Sequence, residues 1–309
     1  MSKKKLDILV VGAGHAGTEA ALIASKLKCS VGIITMDKAA IGRMSCNPAI
    51  GGLAKGQIVR EIDMLGGAMA RISDLCALQI KTLNKKKGRA VWSPRAQVDK
   101  RKYEKQIKKT LAKSNVKIII GEAVSVIIKK NTFQGFGLRD GTSIYSRSGI
   151  ITAGTFLSGI VHIGERKILA GRMGEERAEG LTESLTSFGF KSARLKTGTP
   201  PRLVRETINW KKAEPSWGDK NPTPLSYFSK SFEPKNIPCH TVHTSAESHK
   251  IIQNNLKRSP MFSGDIGGAG PRYCPSIEDK IYRFNEKDSH LLHLEPEWKG
   301  SDQIYLNGF

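Results

Sequence analysis

The stretch LDILVVGAGHAGTEAALIASKLKCSVGIIT, residues 6–35, decides how the chain begins to fold. Leu6 to Val11 is a compact apolar run ending at glycine, as a buried parallel strand does. From His15 to Lys28 the spacing becomes helical, with Ala20, Ala24 and Leu27 on one face. Val31 to Thr35 reads as a second strand. Strand, glycine turn, helix and strand in so short a span form the βαβ unit of a doubly wound sheet. The turn carries G-x-G-x-x-G at Gly12, Gly14 and Gly17, with Ala13, His15 and Ala16 between them. Gly12 permits a tight turn, Gly14 lets the backbone approach a pyrophosphate, and Gly17 lets the helix pack close to the strand. The helix N-terminus then faces the phosphates. These six residues are the candidate dinucleotide-binding set. The acid that usually ends the second strand and holds a ribose hydroxyl is replaced by Thr35-Met36, with Asp37 just beyond. The motif alone leaves FAD and NAD unseparated.

Beyond this unit, a glycine-rich loop from Ile41 to Gly52 precedes a helix through Ile58, Ile62 and Leu65. Gln97 to Lys113 reads as helix, and Val116 to Ile120 and Ala123 to Ile128 read as strands. Phe133–Leu138 and Ser143–Tyr145 alternate like a hairpin around Asp140-Gly141, and Ser148–Ala153 reads as a further buried strand. Seven prolines between Pro200 and Pro238 exclude a long helix there and mark a boundary near Gly198. The last residues, Leu306-Asn307-Gly308-Phe309, carry no charged tail or helix end, so the chain reads as cut short.

Fifty Lys and Arg against twenty-eight Asp and Glu give a net charge of +22, which favours a polyanionic partner, nucleic acid first. Residues 81–113 hold thirteen of those cations against Asp99 and Glu104, with Trp92 and Tyr103 interleaved as a stacking platform. Arg89, Arg95 and Gln97 sit before the helix and are expected to make specific contacts. Lys100, Arg101, Lys105, Lys108 and Lys109 read equally as a solvated helix face. Lys100 and Arg101, with Arg89 and Arg95, form the candidate nucleic-acid set.

Five cysteines, without a C-x-x-C pair, argue against a disulfide framework or a zinc cluster and fit a reducing cytosol. No metal is expected. The longest apolar stretch, residues 149–163, falls short of a bilayer span, so neither export nor a membrane partner is expected. Cys29, Cys76 and Cys239 read as small buried hydrophobes. Cys46, in MSCNPAIGG, and Cys274, in GPRYCPS, sit in loops that feed helices, where the N-terminal field favours a thiolate. Ser276 and Asp279 look like the cap of the second helix.

The segments GAGHAGTEAA, MSCNPAIGGLAKGQIVREIDMLGG, PRAQVDK, AGTFLSG, RLKTGTPPR and SGDIGGAGPRYCPSIEDK, in this order along the whole chain, resemble the MnmG (GidA) family. The resemblance implies an α/β fold: a doubly wound Rossmann-like FAD-binding domain with an inserted α+β segment. Residues 1–197 would be the FAD domain, with a basic helical insertion at about 81–113. Residues 198–309 would be the inserted NADH-linked segment, stopping at about half a family member's length. It implies FAD on Gly12 to Gly17, with Val124 by the adenine. It implies a nicotinamide-nucleotide segment over Gly270, Pro271, Arg272, Tyr273, Cys274, Pro275 and Ser276. It also implies an enzyme that adds a carboxymethylaminomethyl-type group at carbon 5 of the tRNA wobble uridine. Its cofactors would be FAD and NADH, its one-carbon donor methylenetetrahydrofolate, and its partner an MnmE-type GTPase. A cytoplasmic homodimer is implied for the full-length protein. Cys46 and Cys274 match the family's two functional cysteines; Cys274 is expected as nucleophile and Cys46 in proton transfer. Three alternatives stay open: a folate-dependent tRNA uridine methyltransferase, a non-catalytic FAD- or RNA-binding fragment, and an NADH–flavin oxidoreductase of small molecules.

Overall fold

The computed structural model describes residues 5–230, 232–260, 262–263 and 276–309. Its elements run β1 (Leu6–Val11), α1 (His15–Lys26), β2 (Val31–Thr35), β3 (Ala49–Gly51), α2 (Lys55–Met64), α3 (Met69–Cys76), β4 (Ala77–Leu83) and β5 (Ser93–Val98). Then come α4 (Lys100–Ala112), β6 (Lys117–Ile120), β7 (Ala123–Lys129), β8 (Thr132–Leu138), β9 (Ser143–Ile151), β10 (Val161–Ile163), β11 (Arg166–Ile168) and α5 (Leu181–Ser187). The rest are β12 (Arg202–Val204), β13 (Glu214–Ser216), β14 (Cys239–His243), α6 (Ala246–Asn255), α7 (Ile277–Arg283), β15 (Leu291–Pro296) and β16 (Gln303–Asn307). They divide into two units. The first comprises residues 1–43, 66–69 and 104–192; the second comprises 44–65, 70–103 and 193–309. The division differs from the contiguous one expected at Gly198, because 44–65 and 70–103 belong with the second unit. The chain last passes between the units at 192–193, close to that expected boundary.

The first unit is built on the sheet β6-β2-β1-β9-β8-β7. Its β6, β2, β1 and β9 are parallel, as buried apolar strands without alternation require. The βαβ reading matches β1, α1 and β2, with Val11 beside Ile34 in register. Leu9, Val11, Ile34, Phe136, Leu138 and Leu181 form the core. The expected hairpin strand at 143–145 and buried strand at 148–153 are one continuous element, β9. Its first residues pair antiparallel with β8, Gly135 facing Tyr145, while its later ones pair parallel with β1.

The second unit holds two antiparallel sheets, β12-β16-β15-β14-β13 and β3-β5-β4. Ile277 and Ile281 of α7 pack with Leu292, Leu294, Ile304 and Leu306 of β15 and β16 in its core. Gln79 of β4 donates its side-chain amide to the carbonyls of Ser216 and Ile237, tying the two sheets together. The helix expected from Gln97 begins at Lys100 instead. Residues 93–98 are drawn into β5 by pairing with both β3 and β4. Asp99 then starts the helix by accepting the Lys102 N–H at 3.0 Å.

Candidate functional site

In the first unit the three motif glycines have three different environments. Gly12 has φ +97°, and a Cβ there would lie 2.5 Å from the Thr152 carbonyl oxygen. A Cβ on Gly17 would lie 1.8 Å from the Gly12 oxygen, so α1 can rest on the turn only through a glycine. At Gly14 a Cβ would meet nothing within 4 Å. Its bareness answers no need of the protein's own packing and leaves the turn open to a ligand. Gly14 is also the N-cap of α1, with no side-chain cap bond. The field at this N-terminus of α1 favours an anion beside the turn. The turn is buttressed from outside: Thr152 Oγ1 donates to the Val11 and Gly12 carbonyls, and Gly42 N–H donates to the Ala13 carbonyl.

Around this turn, Arg43 binds Glu175 at 2.8 Å, and Arg172 lies 3.7 Å from the same carboxylate. Burial holds His15 below its ordinary pKa, with the Arg172 charge adding to it. Asp37, the substitute for the missing acid, caps the next turn by accepting the Ala39 N–H at 2.7 Å and lies 3.8 Å from Arg43. The Gly121 N–H donates to the Thr35 carbonyl, which brings the residues leading to Val124 beside the end of β2. Val124 is the second residue of β7, against Gly180.

In the second unit Cys46 is exposed. Its loop is clamped rather than loose. Arg202 on β12 donates to the carbonyls of Ser45 (3.1 Å) and Cys46 (2.8 Å), while its Nε binds Glu297 at 3.1 Å. The other oxygen of Glu297 takes Lys100 Nζ at 2.9 Å, and that ammonium also lies 3.5 Å from the Cys46 carbonyl. One carboxylate, almost wholly buried, therefore fixes both cations that hold the thiol's backbone. Cys46 Sγ lies 3.8 Å from Tyr305 Oη, and the Arg202 guanidinium faces the Tyr305 ring at 4.8 Å. Burial, reinforced by Cys46 itself, pushes the Tyr305 phenol well above its usual value. Cys76 and Cys239 are buried, and burial pushes both thiols up to about 12, as expected of packing residues.

The candidate nucleic-acid residues separate into two classes. Arg95 is paired with Glu295 at 2.8 Å, and Lys100 with Glu297; both side chains are mostly buried. Each of these cations neutralises a buried carboxylate. Arg89 and Arg101 stay exposed, Arg89 over the Trp92 ring and Arg101 over that of Trp298 at 3.6 Å. Tyr103 is fully buried, with Ile107 and Leu111, so it is core and not a stacking platform. Gly270 to Pro275, Cys274 included, lie outside the described residues; Ser276 is described and caps α7 by accepting the Asp279 N–H. Arg202, Glu297 and Tyr305 were not legible as site residues, since they lie more than 150 positions from Cys46.

The sequence profile described as "Glucose inhibited division protein A" matches residues 7–309. The chain belongs to the GidA family. Over 310 residues it is 46% identical to the tRNA uridine 5-carboxymethylaminomethyl modification enzyme MnmG of Bdellovibrio bacteriovorus, covering 100% of this chain and 48% of that protein. It is 47% identical over 306 residues to the MnmG of Chlorobium phaeovibrioides, covering 98% of this chain and 49% of that one. Aquifex aeolicus GidA, in its form I crystal, superposes with a TM-score of 0.92 at 42% identity, covering 99% of this chain and 52% of that chain. The chain spans about half the length of the curated relatives it matches. The Rossmann-like α/β fold expected of a GidA protein is the fold of this chain.

Proposed function

We propose that this GidA chain is the cofactor-binding, thiol-bearing half of a tRNA uridine-modifying enzyme, working at carbon 5 of the wobble base. The observation that carries the reading is the presentation of Cys46: an exposed thiol on a backbone pinned by Arg202 and Lys100, beside the phenol of Tyr305. Carbon 5 of uracil is too weak a nucleophile to attack a one-carbon electrophile unaided. Addition of a thiolate to carbon 6 forms a C–S bond and moves the ring π electrons toward the oxygen at carbon 4. Carbon 5 then attacks the electrophile, loses its proton to a base, and the thiolate leaves as the ring double bond returns. Cys274 is assigned the attack from its sequence setting, and Cys46 the proton at carbon 5, with Tyr305 as hydrogen-bond partner of its sulfur.

FAD fits the first unit: Gly14 leaves the turn open, the α1 N-terminus offers donors to a pyrophosphate, and Arg43 and Arg172 lie nearby. When bound and reduced by NADH, it would supply the electrons for the one-carbon step. Val124 is assigned to the adenine end, and Gly270 to Ser276 to the nicotinamide nucleotide. The donor is methylenetetrahydrofolate and the partner an MnmE-type GTPase acting on the full-length, cytoplasmic homodimer. Among the described residues no helix is long and apolar enough to cross a membrane. Arg89 and Arg101 are assigned to RNA. The test is dialysis of the purified chain with excess FAD. Stoichiometric retained flavin that NADH bleaches is expected, and a colourless chain would overturn the flavin assignment.

A further inference from the structure

The second unit contains a recess of about 440 Å³ lined by Arg60, Thr82, Lys85, Trp92, Pro94 and Thr223. Its size lies within the roughly 300–1,000 Å³ of ordinary ligand sites. Four features give it a chemical character. The Trp92 indole N–H is already satisfied by the Lys87 carbonyl at 3.0 Å, so what Trp92 offers the recess is ring surface. That ring is held in place by the backbone: Gln57 Nε2 donates to the Trp92 carbonyl and to Ser93 Oγ, both at 3.1 Å. Arg60 donates through Nη2 to the Pro224 carbonyl and faces the Tyr227 ring at 5.4 Å, while its Nε is buried with no hydrogen-bond acceptor. Arg60 is half-buried and lines the recess, so its fixed positive charge faces an anion held there. Lys85, at the mouth, opens a run of exposed cations that continues through Lys86, Lys87 and Arg89.

One carboxylate borders the site. Asp219 binds Lys85 at 2.8 Å and accepts the Thr82 N–H at 3.0 Å. Lys85 is therefore partly neutralised, and Arg60 is the stronger anion-binding group of the two.

We propose that this recess holds one nucleotide of an RNA strand, its base against Trp92 and its phosphate on Arg60, with Lys85 secondary. The run 85–89 then meets the phosphates on either side, which a free mononucleotide would leave unused. Stacking on an aromatic ring with cations tracking the backbone is the chemistry of single-stranded RNA binding. The inference rests on the tRNA reading above.

The test uses the 309-residue chain and a fluorescein-labelled oligouridylate carrying 5-iodouridine. Photo-crosslinking of the wild-type chain, mapped by peptide mass spectrometry, is expected at Trp92. By anisotropy, Trp92→Leu and Arg60→Lys each weaken binding about fivefold or more, and Lys85→Gln only about twofold. Lys211→Gln, exposed and outside both the recess and the assigned RNA residues, changes the Trp92 crosslink yield little. Crosslinks confined to other peptides, with affinity unchanged in Trp92→Leu, would remove the site while leaving RNA binding by this family intact. A wild-type chain that binds no RNA would overturn the site and the RNA reading of this chain together. Binding of ADP that quenches Trp92 fluorescence, without RNA binding, would reassign the recess to free nucleotides and overturn the proposal.

Discussion

Gly14 and Gly17 differ by three positions and by what a methyl group would meet, which separates folding from binding. Gly17→Ala drives a carbon into the Gly12 carbonyl at 1.8 Å, so it is expected to destabilise the first unit by several kcal/mol, on the order of 4 or more. Gly14→Ala meets nothing within 4 Å at a φ of −74°, which alanine tolerates. It is expected to leave the melting temperature within a few degrees but to weaken FAD retention about tenfold or more. Equal loss of stability in both variants would show that the open space at Gly14 is not a ligand's. At Cys46, Tyr305→Phe removes the hydroxyl 3.8 Å from the sulfur. One hydrogen bond is worth ~1 kcal/mol, so alkylation of Cys46 at neutral pH, followed on its own peptide by mass spectrometry, is expected to slow about fivefold. An unchanged rate would show that the phenol does not act on the thiol.

At the scale of elements, the strands β12, β15 and β16 bring Arg202 and Tyr305, with Glu297 just beyond β15, to one loop. Glu297→Gln leaves Lys100 and Arg202 without their shared counter-charge. A broken buried pair costs on the order of 3–5 kcal/mol, and partial exposure of Arg202 puts the expected loss at the lower end, read from urea unfolding. Loss below about 1 kcal/mol would show that the clamp is not a stabilising element. On β15, burial holds His293 below its ordinary 6.5 against the pull of Glu295, helped by Arg95, Lys81 and Lys280. The unfolded chain takes up that proton near 6.5 and the folded chain only at lower pH. Stability is therefore present above about 6.5 and is lost as pH falls toward the folded value. The melting temperature is expected to drop from pH 7.5 to 5.5, and less steeply in His293→Gln; parallel slopes would refute the assignment. The sequence made β1, α1 and β2 legible because their apolar period, glycine turn and spacing are local. It concealed β5, whose basic, proline-containing run has no strand pattern of its own and is extended by pairing on both sides. It concealed the Cys46 clamp for a related reason: an arginine or glutamate carries no local sign of a partner brought in by a distant strand. Tyr103 was misread as a platform because a charged run hides the buried stripe it shares with Ile107 and Leu111.

For the whole molecule, a net charge of +22 predicts RNA affinity that falls steeply with salt. Because Arg95 and Lys100 are internally paired, their replacement is expected to change stability and leave the salt slope of RNA binding nearly unchanged. Arg89→Gln and Arg101→Gln should each reduce that slope by about one, as read by anisotropy across a salt series. The reverse pattern would return the inward pair to the RNA surface. β9 has a consequence in time. Its backbone is the shared wall between β1 and the β7–β8 meander, yet its residues leave the ribosome only after both, and long after Leu6. The edge of β1 opposite β2 must wait open through the synthesis of more than a hundred residues before β9 arrives. Joining of the β6-β2-β1 half to the β8-β7 half is thus a late closure, and a slow codon stretch or bound chaperone before residue 151 would act on an unprotected edge of β1.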